Sequence, residues 1–158
     1  MQKITPFLWF DTQAEEAARF YVSIFKNSKI GSISRYGDAG PGAEGKVMTI
    51  SFELDGQTLT ALNGGPAFRF NEAISLYVDC EDQAAVDELW DKLSAGGQTS
   101  QCGWLKDRYG LSWQIVPKAL MQLLGDPDRE ASQRVMRAML QMTKIDVAQL
   151  RAAHAGHV

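Results

Sequence analysis

The side chains best suited to catalysis or metal binding are scarce in this sequence. Its two histidines, His154 and His157, lie at the C-terminal end, far along the chain from any predicted strand. Its two cysteines, Cys80 and Cys102, have neither CxxC spacing nor neighbouring histidines, which predicts reduced thiols rather than a disulfide or a zinc site. The histidines could bind metal adventitiously, but the favoured interpretation of residues 153–158 is a frayed, solvated tail.

Polar side chains in or beside the predicted strands form a second set of candidates. They are Asn63, Ser75, Tyr77, Lys106, Asp107 and Gln114. Lys106 and Asp107 are more simply interpreted as a solvated hairpin turn, and no serine lies in a nucleophile-elbow motif. A metal-free enzyme therefore stays open as an alternative, but no nucleophile and base can be named for it.

Aromatic side chains near strands could instead bind a planar ligand, because flat rings suit apolar or cationic partners. Aromatic residues in strands are also frequent core residues, so both interpretations stay open. Alternation along the last predicted strand places Gln114 on the opposite face from Trp113. The candidate ligand contacts are Trp9, Asn63, Phe70, Tyr77, Trp104, Trp113 and Gln114.

An internal repeat predicts the elements that position these residues. Residues 8–11 read Leu-Trp-Phe-Asp and residues 76–79 read Leu-Tyr-Val-Asp, and each stretch precedes a segment with helical spacing of apolar residues. Thr12 and Glu15 are typical of a capping box at the start of the first helix, and Asp79 could cap the second. Three strand-like runs follow each helix: 29–36, 46–54 and 57–62, then 99–102, 104–106 and 111–116.

The order strand, helix, three strands therefore occurs twice, which predicts an α+β fold of two βαβββ modules. Asp55-Gly56 is a strong signal for a hairpin turn. One face of each sheet is covered by its helix, so pairing of the two halves would leave a concave cleft suited to a small molecule. After Pro117 the pattern becomes helical, with a helix expected to start at Asp126-Pro127.

Composition limits the possible partners. The net charge is −3 and the basic residues are scattered, which argues against nucleic acid or an anionic membrane as a partner. No stretch has the roughly 20 apolar residues of a membrane span, and the N-terminus lacks the pattern of a signal peptide. We therefore expect a cytoplasmic protein.

Three segments carry a resemblance to a known family. Residues 4–10 read Ile-Thr-Pro-Phe-Leu-Trp-Phe, residues 61–66 read Ala-Leu-Asn-Gly-Gly-Pro, and residues 107–117 read Asp-Arg-Tyr-Gly-Leu-Ser-Trp-Gln-Ile-Val-Pro. With the Met-rich helical C-terminal part, the chain resembles the PhnB-like branch of the glyoxalase/bleomycin-resistance/dioxygenase (vicinal oxygen chelate) superfamily. Members often carry the label 3-demethylubiquinone-9 3-methyltransferase.

The resemblance implies a domain organisation. A vicinal-oxygen-chelate domain would span residues 1–118, with halves of roughly 1–66 and 67–118. Helices in residues 119–158 would pack on that domain or on a dimer partner, because members of this branch pair as homodimers by juxtaposing their sheets.

Metal-dependent enzymes of the superfamily take ligands, usually His and Glu, from four strand positions. The resemblance places these positions at Pro6, Leu59, Ala73 and Gln114. The first three side chains have no donor atom, and the neutral carbonyl of Gln114 is a weak ligand for a divalent ion. The resemblance therefore implies no classical metal centre and no resident cofactor.

Besides the metal-free enzyme, three functions remain open. The favoured one is a module that binds a small organic molecule. The family label implies a methyltransferase that uses S-adenosylmethionine, and the superfamily implies a metal-dependent lyase or dioxygenase. The Gly64-Gly65 stretch follows a strand but leads to another strand, so a tight turn is favoured over a nucleotide-binding loop.

Overall fold

The computed structural model describes residues 2–157, which form two compact units that divide between Phe70 and Asn71. Each unit contains a four-stranded sheet in which the first strand pairs in parallel with the last. The prediction of an α+β fold with two βαβββ modules and C-terminal helices is therefore confirmed.

In the first unit, one helix covers one face of the sheet. The strand order is β1-β4-β3-β2. Leu8, Phe10, Ile50 and Phe52 alternate with more exposed residues and are buried on the helix side, as the two-residue period of a strand requires. The elements are β1 (Phe7–Phe10), α1 (Ala14–Ile24), β2 (Lys29–Arg35), β3 (Val47–Leu54) and β4 (Gln57–Asn63).

The turn between β3 and β4 is the one that the sequence predicts. Asp55 and Gly56 have φ angles of 48° and 83°. Positive φ at both central residues is the requirement of a type I′ hairpin turn, which matches the twist of the flanking strands.

The start of α1 differs from the predicted capping box. The helix begins at Ala14, its N-cap residue is Gln13, and no side chain of Gln13 caps it. The Ala14 N–H instead donates to Oδ1 of Asn63, at 2.8 Å, from the end of β4. A local sequence pattern cannot reveal this cap, because its oxygen lies 49 residues away along the chain.

The second unit repeats this arrangement and adds three helices. Its strand order is β5-β8-β7-β6. The elements are β5 (Ser75–Cys80), α2 (Gln83–Ser94), β6 (Gln98–Thr99), β7 (Trp104–Lys106), β8 (Ser112–Pro117), α3 (Lys118–Leu124), α4 (Arg129–Leu140) and α5 (Val147–His154).

Two details of the second module correct the sequence expectations. Asp82, not Asp79, caps α2, since its Oδ1 accepts from the Ala85 N–H at 2.9 Å. Strand β6 ends at Thr99 rather than at Cys102. Cys102 and Gly103 have φ angles of 59° and 84°, and this left-handed turn is incompatible with an extended strand.

The C-terminal helices pack on the second unit's own sheet. Their apolar cluster joins the end of β8 to residues of α3, α4, α5 and the segment before α5: Val116, Leu120, Val135, Met142, Ile145 and Leu150. The Cys102 and Gly103 N–H groups each donate, at 2.8 Å, to the carbonyls of Met142 and Thr143. The extension therefore holds the β6–β7 connection.

The expected frayed tail is ordered as far as the structure describes it. Helix α5 continues to His154, and Arg134 donates to the carbonyls of Ala153 and His154 at 2.8 and 2.6 Å. The His154 Nε2 lies 2.6 Å from Oδ2 of Asp126. Helix α4 begins at Arg129, and its cap is Asp128 rather than Asp126, since Oδ1 of Asp128 accepts from the N–H groups of Glu130 and Ala131. Val158 lies outside the described residues.

Candidate functional site

The register of the second sheet brings two rows of side chains together on the face that α2 does not cover. Residues directly opposite each other in a sheet project to the same face. Ser75 pairs with Ser112, which pairs with Lys106 of β7, which pairs with Gln98 of β6; we call these four the serine–lysine row. Two residues further along β8, a second row of side chains crosses the same face.

That second row, the aromatic row, consists of Tyr77, Gln114 and Trp104. Tyr77 pairs with Gln114, which pairs with Trp104. The Tyr77 ring is 49% exposed, and the other two side chains are half-buried. Three of the predicted contact residues are therefore neighbours on one accessible surface. Burial raises the pKa of the Tyr77 hydroxyl, and the charge of Asp79 adds to that rise, so the hydroxyl is a neutral donor near pH 7.

Trp113 lies on the opposite face. Its indole is 2% exposed, in the layer where Leu105 and Ile115 are also buried beneath α2. As the alternation predicts, Gln114 and Trp113 project to opposite sides of β8. Trp113 thus belongs to the core that supports the site.

Asp107 anchors the turn between β7 and β8, and it is buried rather than solvated as the sequence suggests. Its Oδ1 accepts from the N–H groups of Tyr109 and Leu111 at 2.8 and 3.1 Å. Its Oδ2 accepts from Nε1 of Trp113 at 2.9 Å. The carboxylate ties the turn to the core and fixes the position of the adjacent Lys106.

A groove of about 700 Å³ adjoins the two rows. Its walls come from β7, β8, the segment before β5 and the β6–β7 connection, and they include Glu72, Thr99, Cys102, Trp104, Lys106 and Ser112. The Ser112 hydroxyl is buried, and it has no hydrogen-bond partner among the described residues. Buried hydroxyls nearly always have a partner, so this one is an exception within the wall of the groove.

The other polar atoms near Ser112 are engaged. The Gln114 Nε2 donates to Oγ of Ser75 at 2.9 Å. Nζ of Lys106 donates to Oε1 of Glu72. The Lys106 side chain is 36% exposed and the Glu72 side chain is 61% exposed. This hydrogen bond from Lys106 lowers the pKa of the Glu72 carboxyl, so Glu72 is ionised at neutral pH.

On the first sheet, the face away from α1 has hydroxyls that satisfy one another. The Ser32 and Ser51 hydroxyls are 3.1 Å apart, and those of Ser34 and Thr49 are 2.5 Å apart. Among residues 2–157, the buried side-chain atom that lacks a partner lies in the second unit, at Ser112. The two sheets therefore differ in how fully the hydroxyls on the face away from the helix are satisfied.

The remaining predicted contacts belong to the first unit and have structural partners. Nε1 of Trp9 donates to the Gly65 carbonyl at 2.9 Å, and its ring packs edge-on against Phe68, with ring centroids 4.9 Å apart. Phe70 packs in the same way on the buried Phe10, at 5.2 Å. The structure does not place these residues within the groove of the second unit.

Asn63 and the following glycines form a turn whose polar groups are largely committed. Asn63 caps α1 through Oδ1 and donates from Nδ2 to the Val47 carbonyl at 3.1 Å. The N–H groups of Gly64 and Gly65 donate to the carbonyls of Phe10 and Asp11 at 2.9 and 3.3 Å. A phosphate-binding loop must direct such N–H groups at its ligand, so the geometry agrees with a tight turn.

The four positions that the resemblance aligns with metal ligands carry no set of donors. Leu59 is buried on the helix side of β4, so Thr58 and Thr60 occupy the other face there. Pro6 and Ala73 precede β1 and β5 and are exposed. Within residues 2–157, no group of three or more His, Cys, Asp or Glu side chains is placed to hold a metal ion. The residues present do not fit a classical His/Glu centre.

Comparison with known proteins identifies the family. A family model described as 3-demethylubiquinone-9 3-methyltransferase matches residues 2–116. A solved structure of a Bacillus cereus PhnB protein that carries the same label is 42% identical, covers 73% of this chain and 99% of its own, and superposes with a TM-score of 0.68. The chain therefore belongs to the 3-demethylubiquinone-9 3-methyltransferase family, the PhnB-like branch. No protein with a curated function matches it.

More distant structures share the fold. A Pseudomonas aeruginosa protein is 21% identical over 74% of this chain and 98% of its own, with a TM-score of 0.62. A glyoxylase/bleomycin resistance protein/dioxygenase domain from Frankia is 16% identical over 74% of this chain and 92% of its own, with a TM-score of 0.50. The fold is thus that of the glyoxalase/bleomycin-resistance superfamily. No helix within residues 2–157 is long and apolar enough to cross a bilayer.

Sequence reasoning missed Ser112 and Glu72. The alternation of β8 already places Ser112 on the same face as Gln114, so its orientation could be inferred. Its burial beside Lys106 depends on the register between β7 and β8, which the sequence alone does not reveal. Glu72 precedes β5, and its pairing with Lys106 spans 34 residues.

Proposed function

We propose that this protein binds a small, planar organic molecule on the second sheet, in the groove beside the aromatic row, without a classical metal centre. The observation that carries the proposal is the register that aligns Tyr77, Gln114 and Trp104 on the face away from α2. Two aromatic rings can contact a flat ligand, and the amide between them can fix its orientation.

A neutral aromatic probe tests this proposal. Naphthamide, titrated by calorimetry and by thermal shift, should bind saturably and raise the unfolding midpoint as a ligand of the native state does. Trp104→Ala should lower the affinity about twofold to tenfold, since an aromatic pair contributes roughly 0.5–1.5 kcal/mol beyond area burial.

Phe7→Ala is a matched control, because Phe7 is an aromatic side chain that is 61% exposed on the first sheet. We expect this variant to bind naphthamide as the wild type does. If Phe7→Ala loses naphthamide binding and Trp104→Ala keeps it, the proposed location is contradicted. No binding of planar aromatics by the wild-type protein would contradict the proposed function.

A methyltransferase is the second candidate, and the family description favours it. S-adenosylmethionine should then raise the unfolding midpoint at micromolar concentration, and the rise should be larger than that produced by adenosine. Stabilisation by zinc or nickel ions would instead favour a metal-dependent lyase or dioxygenase. If S-adenosylmethionine, zinc and nickel ions all leave the unfolding midpoint unchanged and naphthamide raises it, the binding module is supported.

We further propose that the protein is a cytoplasmic homodimer, as the family resemblance implies. Ile4 and Phe68 of the first unit are 86% and 65% exposed, and large exposed apolar side chains are typical of interaction surfaces. Light scattering coupled to size-exclusion chromatography should give twice the chain mass, and Ile4→Glu should shift the population toward monomer. A monomeric wild-type protein would refute this part.

A further inference from the structure

We infer that Ser112 and Lys106 form a carboxylate subsite at the end of the serine–lysine row, so that the preferred ligand is an aromatic carboxylic acid. This inference rests on the proposed function, because it assigns the polar end of the same ligand. The aromatic row would contact the ring, and the neighbouring row would bind the acid group. The two rows are adjacent on one face.

The unpartnered hydroxyl is the first argument. Ser112 lines the groove, and its buried Oγ has no partner among the described residues. Leaving such a group unsatisfied is costly, so a ligand oxygen that accepts from it restores a missing hydrogen bond. A carboxylate oxygen is a strong acceptor for a hydroxyl, because an ionised acceptor roughly doubles the strength of the bond.

The pairing of Lys106 is the second argument. Its Nζ already binds a carboxylate, that of Glu72, at the mouth of the groove. Both side chains are more than a third exposed, so solvent weakens this ion pair and it contributes little to stability. Glu72 therefore marks the position of an acid group, and a ligand carboxylate could replace it at little cost. The carboxylate of the ligand would then lie between Nζ of Lys106 and Oγ of Ser112.

Other groups near the groove do not compete for this role. Cys102 has a backbone N–H that is committed to Met142, and Gln98 at the outer end of the row is exposed. Nε2 of Gln114 donates to Oγ of Ser75. Lys106, which carries a positive charge, and Ser112, whose hydroxyl lacks a partner, are thus paired across β7 and β8, and both side chains favour an anion.

The test compares naphthoate with naphthamide, which have the same ring and differ in the acid group. In the wild-type protein at pH 7, we expect naphthoate to bind about tenfold more tightly, as is typical of a hydrogen bond to a charged group. Lys106→Met, which keeps the aliphatic stem, should abolish that preference by weakening naphthoate binding much more than naphthamide binding. Glu72→Gln should strengthen naphthoate binding severalfold, because the competing carboxylate is removed.

Ser112→Ala separates a ligand contact from a structural one. Removal of an unsatisfied hydroxyl should leave the unfolding midpoint of the free protein unchanged or slightly raised, while naphthoate binding weakens about tenfold. Ser34→Ala is the matched control: its hydroxyl has a partner in Thr49, so the midpoint should fall and the affinity should not change.

The outcomes distinguish the two levels of the proposal. Equal affinity for naphthoate and naphthamide overturns the carboxylate subsite and leaves the aromatic site intact. A lower midpoint in Ser112→Ala with unchanged naphthoate affinity overturns it as well, since the hydroxyl would then be bonded within the free protein. Binding of neither probe refutes the proposed function itself.

Discussion

Replacing Asp107 with asparagine should destabilise the second unit without changing the volume of the side chain. The carboxylate is 2% exposed and accepts from two backbone N–H groups through Oδ1 and from the Trp113 indole through Oδ2. An asparagine has one oxygen and one NH₂ group. Whichever way the amide turns, a donor faces a donor.

The cost can be estimated from these three bonds. The variant loses at least one bond to a charged acceptor, worth roughly 1.5–3 kcal/mol, and leaves a buried N–H without a partner. Relief from burying a charge offsets part of this loss. We therefore expect Asp107→Asn to lower the free energy of unfolding by about 2–3 kcal/mol.

Urea unfolding followed by circular dichroism measures this change. Asp91→Asn is the control, because Asp91 is exposed on α2 and its substitution should change stability by no more than about 0.5 kcal/mol. A double-mutant cycle with Trp113→Phe tests the indole contact directly. Without the indole N–H, Asp107→Asn should cost about 1–2 kcal/mol less.

Two results would refute this reasoning. If Asp107→Asn unfolds within about 0.5 kcal/mol of the wild type, the carboxylate does not hold the turn. If Asp107→Asn costs the same in both backgrounds, the bond to Trp113 contributes nothing to the loss.

Three further predictions concern other parts of the chain. Burial raises the pKa of the Cys80 thiol to about 11, so at pH 8 a disulfide reagent should label Cys102 in the native protein and Cys80 only after unfolding; rapid labelling of Cys80 would be contrary to this. Asn63→Ala should cost about 1–2 kcal/mol in urea unfolding, because it removes the long-range cap of α1; a loss no larger than that of an exposed asparagine would show that the cap is dispensable. The hydrogen bond from the Asp128 N–H, and after it the bond from His154, lowers the pKa of Asp126. The ionised Asp126 therefore stabilises the protein at any pH above 3.8, the ordinary pKa of an aspartate, and this contribution disappears as the pH falls through the lowered pKa. Asp126→Asn should therefore be less stable than the wild type at pH 6 and equal to it near pH 2, and a difference that persists at the lower pH would count against the ionic role.

The sequence predicts the elements well where a local pattern determines them. Alternation along β8 assigns Gln114 and Trp113 to opposite faces, and the Asp55-Gly56 pair predicts its hairpin turn. Periodicity and turn chemistry are local properties, so a single sequence contains them. The repeat of strand, helix and three strands follows from such local signals alone.

The sequence fails where a contact depends on distant residues. The cap of α1 comes from Asn63, so the nearby Thr12 pattern was misleading. Asp107 was expected in solvent, because nothing local shows that Trp113 donates to it. The tail appeared frayed because the partner of His154, Asp126, lies 28 residues earlier.

The same limitation applies to the candidate site. Tyr77, Trp104 and Gln114 were identified by residue type, but only the register shows that they form one row. The pairing that places Ser112 beside Lys106 depends on the turn that Asp107 fixes.

The C-terminal helices determine how far this site can extend. The face that carries the two rows would continue at the next pair, Asp79 and Val116, but Val116 is 3% exposed within the apolar cluster of those helices. The same segment holds Cys102 at the groove wall through the Met142 carbonyl. The family match ends at residue 116. The Bacillus cereus structure aligns over 99% of its own length but covers only 73% of this chain. Residues beyond the family match therefore close one end of the accessible face and support one wall of the groove.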